Sequence, residues 1–349
     1  MLILPFSENL KFPGFEMTLN GKKVSVIGSG SWATALVKVL EHSCDKIHWW
    51  IREPEIIDHI QKYGHNPQYL SVIQLNNSKL ILSNDINEVI KQSEHVLICI
   101  PAAFTAEALS HANSDLLATR KFISAVKGVL PKYNMVISDF LIKELNIKEE
   151  NIALISGPSH AEEVAAEKLT YLTCACSDKS FAELTASYIS GRYIKTILSD
   201  DVIGIEYAAI LKNIMALAAG IGVGLGFGDN FQAVLISNAL REMRAFLKVV
   251  GANHGDIFNS AYAGDLFVTA YSNFSRNRVF GQMIGRGYSV KAAQLEMNMI
   301  AEGYFAVKGM HEIKKQYQIE MPIVEAVYNI LYEGFSPIIE FKILSEKLT

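Results

Sequence analysis

The chain has 349 residues, half of them hydrophobic and 19% charged, with a formal net charge of −4. That is enough apolar material for two domains with sizeable cores, and it excludes a disordered chain. The slight negative balance, without any long basic run, excludes general attraction to nucleic acid or to an anionic membrane surface.

Residues 1–21 carry Pro5, Glu8, Lys11, Pro13 and Glu16. They lack the basic start, long apolar centre and small-residue cleavage site of a secretion signal, so they read as a loose arm. A β-branched run at 22–27 is followed by Gly28-Ser29-Gly30-Ser31-Trp32-Ala33 and a helical run to Leu40. Strand, glycine turn and helix together make a dinucleotide-binding fingerprint with alanine at its third small position. Gly28 permits the tight turn, Gly30 lets the backbone approach a pyrophosphate, and the helix start offers free N–H groups. The next strand, 46–51, ends at Arg52, where an NAD site usually has an acid. A guanidinium suits a 2′-phosphate, which favours NADPH over NADH, while Glu53 one place later keeps NADH in play.

Further parallel-type strands are expected at 95–100, 121–126, 152–155, 171–176 and 193–197. Helices are expected around 102–111, 135–145, 161–167 and 181–190. This alternation predicts an α/β fold with a parallel sheet covered on both faces, and ligands bind beyond the carboxyl ends of such strands. Lys127 is placed there to meet an anionic or polar group. Ser159 can hold a hydroxyl, cap the helix that follows, or do both. The four cysteines, Cys44, Cys99, Cys174 and Cys176, have no zinc-ligand spacing and read as buried reduced thiols of a cytoplasmic protein; no metal site is expected.

Beyond a boundary near Ser199 the β character fades. The chain therefore divides into an arm (1–21), a Rossmann-type domain (22–198) and an all-helical domain (199–349). The stretch 205–228 is long and apolar enough to span a bilayer, but it holds Glu206, Lys212 and Asn213 and reads as a soluble core helix. Its alternating Gly220, Gly222, Gly224, Gly226 and Gly228 are expected to terminate it. Lys212 shares a helix face with Ala208, Ala209, Met215 and Ala216. A desolvated lysine has its pKa pulled towards neutrality, as a proton donor or acceptor requires, whereas a snorkelling lysine is the plainer alternative. Taken singly, Asp229 and Asp265 read as cap or turn residues and Ser275-Arg276-Asn277-Arg278 as a solvated loop. With Lys212-Asn213, Asp265 and the Ser275 cluster compose something else: an acid to orient a lysine, and an arginine with amides and hydroxyls to hold a phosphate. Glu302-Gly303 follows in a helical segment from Lys291 onwards.

With these motifs in place, the chain from about Lys22 to about Tyr332 resembles the soluble NAD(P)-dependent glycerol-3-phosphate dehydrogenases. The likeness rests on the glycine turn, Val126-Lys-Gly, Ser156-Gly-Pro-Ser-His-Ala-Glu-Glu-Val, Asp201-Val-Ile-Gly-Ile-Glu, Leu211-Lys-Asn, Gly228-Asp-Asn, Gly264-Asp-Leu and Ser275-Arg-Asn-Arg-Val-Phe-Gly, in that order. The resemblance implies a 6-phosphogluconate-dehydrogenase-like fold and a cytoplasmic homodimer. It also implies reduction of dihydroxyacetone phosphate to sn-glycerol 3-phosphate, the phospholipid backbone, with NADPH or NADH. It makes Lys212 the proton donor and acceptor, supported by Asp265 and Lys127. Gly28, Gly30, Ser31, Trp32, Arg52, Lys127, Ala161, Arg276 and Glu302 then fall at cofactor positions. Lys127, Gly157, Ser159, Lys212, Asn213, Asp265, Ser275, Arg276 and Asn277 fall at substrate positions. The chain departs from the family pattern at Asn238-Ala239 (usually Arg-Gly), at Tyr262-Ala263 (usually Leu-Gly) and at His160 (usually Phe). The rivals are a related 3-hydroxyacid or ketopantoate-type dehydrogenase and a catalytically silent NAD(P)-binding sensor.

Overall fold

The computed structural model describes residues 22–252, 256–297 and 301–349, so the arm at 1–21 lies outside the described residues. Eight strands form one sheet: β1 (Lys23–Ile27), β2 (Lys46–Trp50), β3 (Leu80–Ser83), β4 (His95–Ile98), β5 (Lys121–Ser124), β6 (Ile152–Ser156), β7 (Thr170–Ala175) and β8 (Ile194–Ser199). They lie in the order β3-β2-β1-β4-β5-β6-β7-β8. The first six of these positions have the order of a doubly wound dinucleotide fold, with the direction of winding reversing between β1 and β4. Helices α1 (Ser31–Leu40), α2 (Pro54–Tyr63), α3 (Ile86–Lys91), α4 (Ala102–Ser110), α5 (Ser114–Leu117), α6 (Ile137–Leu145), α7 (Ala161–Ala165) and α8 (Lys179–Ile189) connect the strands. Two apolar clusters, one around Leu36, Trp49 and Phe181 and one around Ile98, Phe122 and Leu141, complete the sheet half.

Two expectations about the sheet need correction. The half-exposed strand β3 was not read from sequence, because its four residues sit among Asn, Ser and Asp. The sheet is also not wholly parallel: β7 runs antiparallel to β6, while β7 and β8 are parallel. The cause is the length of α7. Five helical residues advance about 7–8 Å, too little to carry the chain back along a strand of roughly 17–20 Å. The chain therefore returns in the opposite sense.

The second half is helical: α9 (Val202–Gly224), α10 (Asp229–Val249), α11 (Asp265–Tyr271), α12 (Arg276–Gly285), α13 (Val290–Glu296), α14 (Glu302–Gln316), α15 (Pro322–Leu331) and α16 (Pro337–Ser345), with a π-turn at Ser260–Gly264. The other helices gather round α9, which is long and apolar enough to cross a membrane but has 94% of its apolar window buried inside the protein. As expected, α9 ends within its glycine run, passing Gly220 and stopping at Gly224. Its glycines also serve close packing. A Cβ on Gly220 would strike the Arg278 carbonyl, and one on Gly224 the Gln282 carbonyl. In return, a Cβ on Gly281 would strike the Leu217 carbonyl, and one on Gly285 the Ile221 carbonyl. Backbone thus lies on backbone where α9 crosses α12.

The helical core does not stop at Ser199. Val129, Val136, Leu154 and Ala175 from the sheet half belong to the same buried cluster as Leu211, Leu217, Phe246 and Met310. Polar contacts cross the same seam. Buried Glu206 on α9 accepts hydrogen bonds from the backbone N–H and the hydroxyl of Ser138, at the start of α6. Burial pushes its carboxyl up to about 7, against the lowering effect of the Ser138 bonds. The folded protein therefore holds a proton that an unfolded carboxyl, with its ordinary value of 4.5, has released. That contribution is complete below about pH 4.5 and is lost as pH rises through about 7. Glu206→Gln is expected to remove roughly 3 kcal/mol from the fall in stability between those limits. Urea midpoints measured on both sides of the window check this, and an unchanged slope would place the proton elsewhere.

Candidate active site

A cleft of about 510 Å³ opens between the carboxyl end of the sheet and the helical half. The sheet half lines it with Gly30–Ala33 at the start of α1, with Cys99–Pro101 after β4, with Lys127, and with Ser159–Glu162 leading into α7. The helical half contributes Lys212 and Asn213, Asp265 and Thr269, Phe274–Asn277, and Ala301 and Glu302.

At its centre, buried Lys212 donates from Nζ to Oδ1 of Asp265, which is itself 1% exposed. Asp265 opens α11, and Thr269 one turn later donates from its hydroxyl to the Asp265 carbonyl at 2.6 Å. Lys127 Nζ lies 4.0 Å from the other Asp265 oxygen and donates to Ser159 Oγ at 3.4 Å. Burial pulls the Lys212 ammonium down to about 8, with the nearby Lys127 adding to the effect and Asp265 opposing it. The snorkelling alternative is excluded, because this lysine ends inside the protein against a carboxylate.

A chain of amides ties the walls together. Asn213 Nδ2 donates to the Lys127 carbonyl at 3.1 Å, Asn277 Nδ2 donates to Asn213 Oδ1 at 2.9 Å, and Gly303 N donates to Asn277 Oδ1 at 2.9 Å. Each asparagine has committed its oxygen and one N–H to this chain, which leaves one N–H apiece for a ligand. Ser275 caps α12, its hydroxyl accepting from Arg278 N at 3.3 Å, so Arg276 and Asn277 stand at a helix N-terminus. Burial holds the Glu302 carboxyl above its ordinary range although Arg276, Lys127 and Lys212 pull the other way.

The opposite wall fits a dinucleotide. The start of α1 has no side-chain cap, and nothing lies within 4 Å of where a Cβ on Gly30 would stand. The bare turn and uncapped N–H groups suit a pyrophosphate. Trp32 lines the cleft under Lys127, whose Nζ lies 5.5 Å from its ring. Ser31 and Ala161 open α1 and α7 on the cleft wall.

Three of the residues singled out from sequence are not on the cleft wall. Gly28 supports it from behind: at φ 119° it packs where a Cβ would strike the Cys99 carbonyl. Gly157 accepts from Ser159 Oγ at 2.9 Å and so orients that hydroxyl. Arg52 is exposed and pairs with Glu53, Nε to Oε1 at 2.8 Å.

The departures from the family pattern also find places. Asn238 is half-buried, away from the cleft, donating to the Thr349 carbonyl at 3.0 Å and accepting from its N–H at 3.2 Å. Tyr262 donates to Asp201, the cap of α9, at 2.5 Å. His160 packs its ring 5.8 Å from that of Phe274, and burial with the nearby Lys212 charge holds its pKa down. Sequence reasoning missed Tyr69 on the cleft wall. It follows an irregular loop whose anchor, buried Asn66, donates to Ser29 O and to Thr34 Oγ1, both at 3.0 Å, and nothing in the local pattern announces that contact.

A glycine turn, a buried lysine–aspartate pair and the N-terminus of α12 around one cleft have the arrangement of a two-domain dinucleotide-dependent dehydrogenase. Two family models, the N-terminus and the C-terminus of NAD-dependent glycerol-3-phosphate dehydrogenase, match residues 23–182 and 201–341, and the chain belongs to that family. It is 36% identical over 325 residues to a glycerol-3-phosphate dehydrogenase (NAD(P)+) of Exiguobacterium sp., covering 93% of this chain and 95% of the relative. The corresponding enzyme of Bacillus pumilus is 34% identical over 314 residues, covering 90% and 91%. The crystal structure of glycerol-3-phosphate dehydrogenase from Coxiella burnetii superposes with a TM-score of 0.86 at 30% identity, covering 93% of this chain and 98% of that one. A ketopantoate reductase from Ralstonia eutropha shares the fold alone, with a TM-score of 0.58 at 17% identity.

Proposed function

We propose that this protein reduces dihydroxyacetone phosphate to sn-glycerol 3-phosphate with NADPH or NADH, reversibly, and so supplies the glycerophospholipid backbone. The observation that carries the reading is the buried Lys212–Asp265 pair, placed between the bare glycine turn and the N-terminus of α12. A reduced nicotinamide, when bound, supplies the hydride. Gly30, Ser31, Trp32, Ala161 and Glu302 would hold that cofactor, and Arg52 at the end of β2 favours NADPH.

Lys212 gives a proton to the alkoxide forming at C2 of the ketone, and Asp265 keeps the ammonium aligned. Lys127 and Ser159 bind the polar end of the substrate. Arg276 and Asn277 hold its phosphate, whose binding energy positions the carbonyl. The division at Ser199 into a nucleotide-binding half and a substrate-binding half belongs to the same proposal. So do a cytoplasmic setting, supported by four free buried cysteines, and a homodimer, carried by family resemblance alone.

The direct test measures consumption of NADPH and of NADH with dihydroxyacetone phosphate, side by side with 3-hydroxyacids in the oxidative direction. Consumption of neither cofactor would overturn the reading, and turnover of the hydroxyacids instead would favour the ketopantoate-type rival. Arg276→Ala is expected to raise KM for dihydroxyacetone phosphate about ten- to a hundredfold, the loss of one charge-assisted hydrogen bond, with a smaller change in kcat. Unchanged kinetics would remove the phosphate clamp.

A further inference from the structure

We propose that His59 and His65 form a binding site for a divalent transition-metal ion of the zinc class, with water completing its shell. The site lies outside the cleft and does not depend on the reaction assigned to it. Helix α2 ends at Tyr63, and Gly64 turns the chain at φ 74°, where a side chain would also strike Gln74. The turn swings His65 back over the last turn of α2. Its Nε2 then lies 3.4 Å from Nε2 of His59, with the rings near perpendicular at 77°.

Two nitrogens bound to one tetrahedral ion at about 2.0–2.1 Å stand about 3.3–3.4 Å apart. The two imidazoles thus already span one edge of a zinc-like coordination shell. A second contact orients the inner ring: His65 Nδ1 lies 3.5 Å from the Asn66 carbonyl. A proton on that nitrogen leaves the Nε2 lone pair facing His59, the arrangement by which ligating histidines are usually held.

The support is firm. Asn77 Nδ2 donates to the Ile60 and Gln61 carbonyls at the end of α2, at 2.9 and 3.0 Å, and Leu75 N donates to the Gly64 carbonyl at 2.7 Å. Lys62, at the end of the same helix, is drawn over the Tyr63 ring at 5.0 Å. Among the described residues no group of three or more His, Cys, Asp or Glu is placed to hold an ion, so the site offers two protein ligands and open positions. It would also sit one residue from Asn66, which clamps the glycine turn and accepts from Tyr69 N at 3.1 Å. An ion here fastens the end of α2 to that clamp.

The test titrates metal-stripped full-length protein with Co²⁺, followed by visible absorption, and then displaces it with Zn²⁺. His59→Ala, His65→Ala and His65→Gln are run beside it. One ion per chain is expected, with tetrahedral-type Co²⁺ bands and joint movement of the His59 and His65 ring resonances on adding Zn²⁺. Each variant should lose about tenfold or more in affinity. Neither ring lies on the cleft wall, so all three variants should keep their metal-free turnover, which certifies their folding. Absence of binding would reduce the feature to a hydrogen-bonded histidine pair and overturn the proposal. So would equal binding by the variants, or movement of one ring alone.

Discussion

Lys212→Met lowers kcat for ketone reduction by about a hundred- to ten-thousandfold and leaves dinucleotide affinity in place. Methionine nearly matches the stem of lysine, so packing in α9 is kept while the transferable proton is lost. Asp265, already the partner of Lys127 at 4.0 Å, keeps a cation beside it in the variant. The wild-type pH profile should carry the same signature. Reduction needs the protonated amine, whose value is about 8, so turnover in that direction falls as pH rises through that point. Oxidation needs the free amine and rises over the same range. Near-normal turnover by Lys212→Met would remove this residue from the chemistry and leave only a structural ion pair.

Gly281→Val is expected to cost about 3 kcal/mol of stability, the upper end for overpacking, because its neighbour is the Leu217 carbonyl and not a side chain that can turn aside. Helix propensity works weakly the other way, since valine is only about 0.3–0.5 kcal/mol better than glycine in a helix interior, so the clash need exceed only that gain. Gly191→Ala, where nothing lies within 4 Å, provides the control and should be close to neutral. Denaturant unfolding separates the two, and equal midpoints would mean that α9 and α12 do not need bare backbone to meet. Arg276 and Asn277 begin α12, so a shift of that helix should also blur substrate binding.

Much of the site was legible in the sequence because the chemistry is written locally. The glycine turn sits between its own strand and helix, and Lys212 stands out as a lone cation in an apolar run. Asp265, Lys127 and Ser159 required the order of several motifs, since each by itself reads as a turn, a surface charge or a cap. What could not be read depended on partners distant along the chain. The glycine run reads as a helix stop, which it is, but that Gly220 and Gly224 also bare the backbone for α12 emerges only when Gly281 and Gly285 are laid against them. Tyr69 reaches the cleft only because Asn66 fastens its loop to Ser29. The reversal of β7 follows from the shortness of α7, a boundary that periodicity does not resolve to within a turn. That Asn238 departs from the family pattern away from the cleft shows only in the structure, where it bonds to Thr349.

The apolar cluster that takes in Leu154 and Ala175 along with α9 bears on how such a chain can be handled. A gene divided near Ser199 would yield two products, each with a greasy face its other half normally hides. Neither piece should be soluble by itself, and co-production in one host would be needed to recover either. The junction is thus an address along the polypeptide and not a seam in the solid.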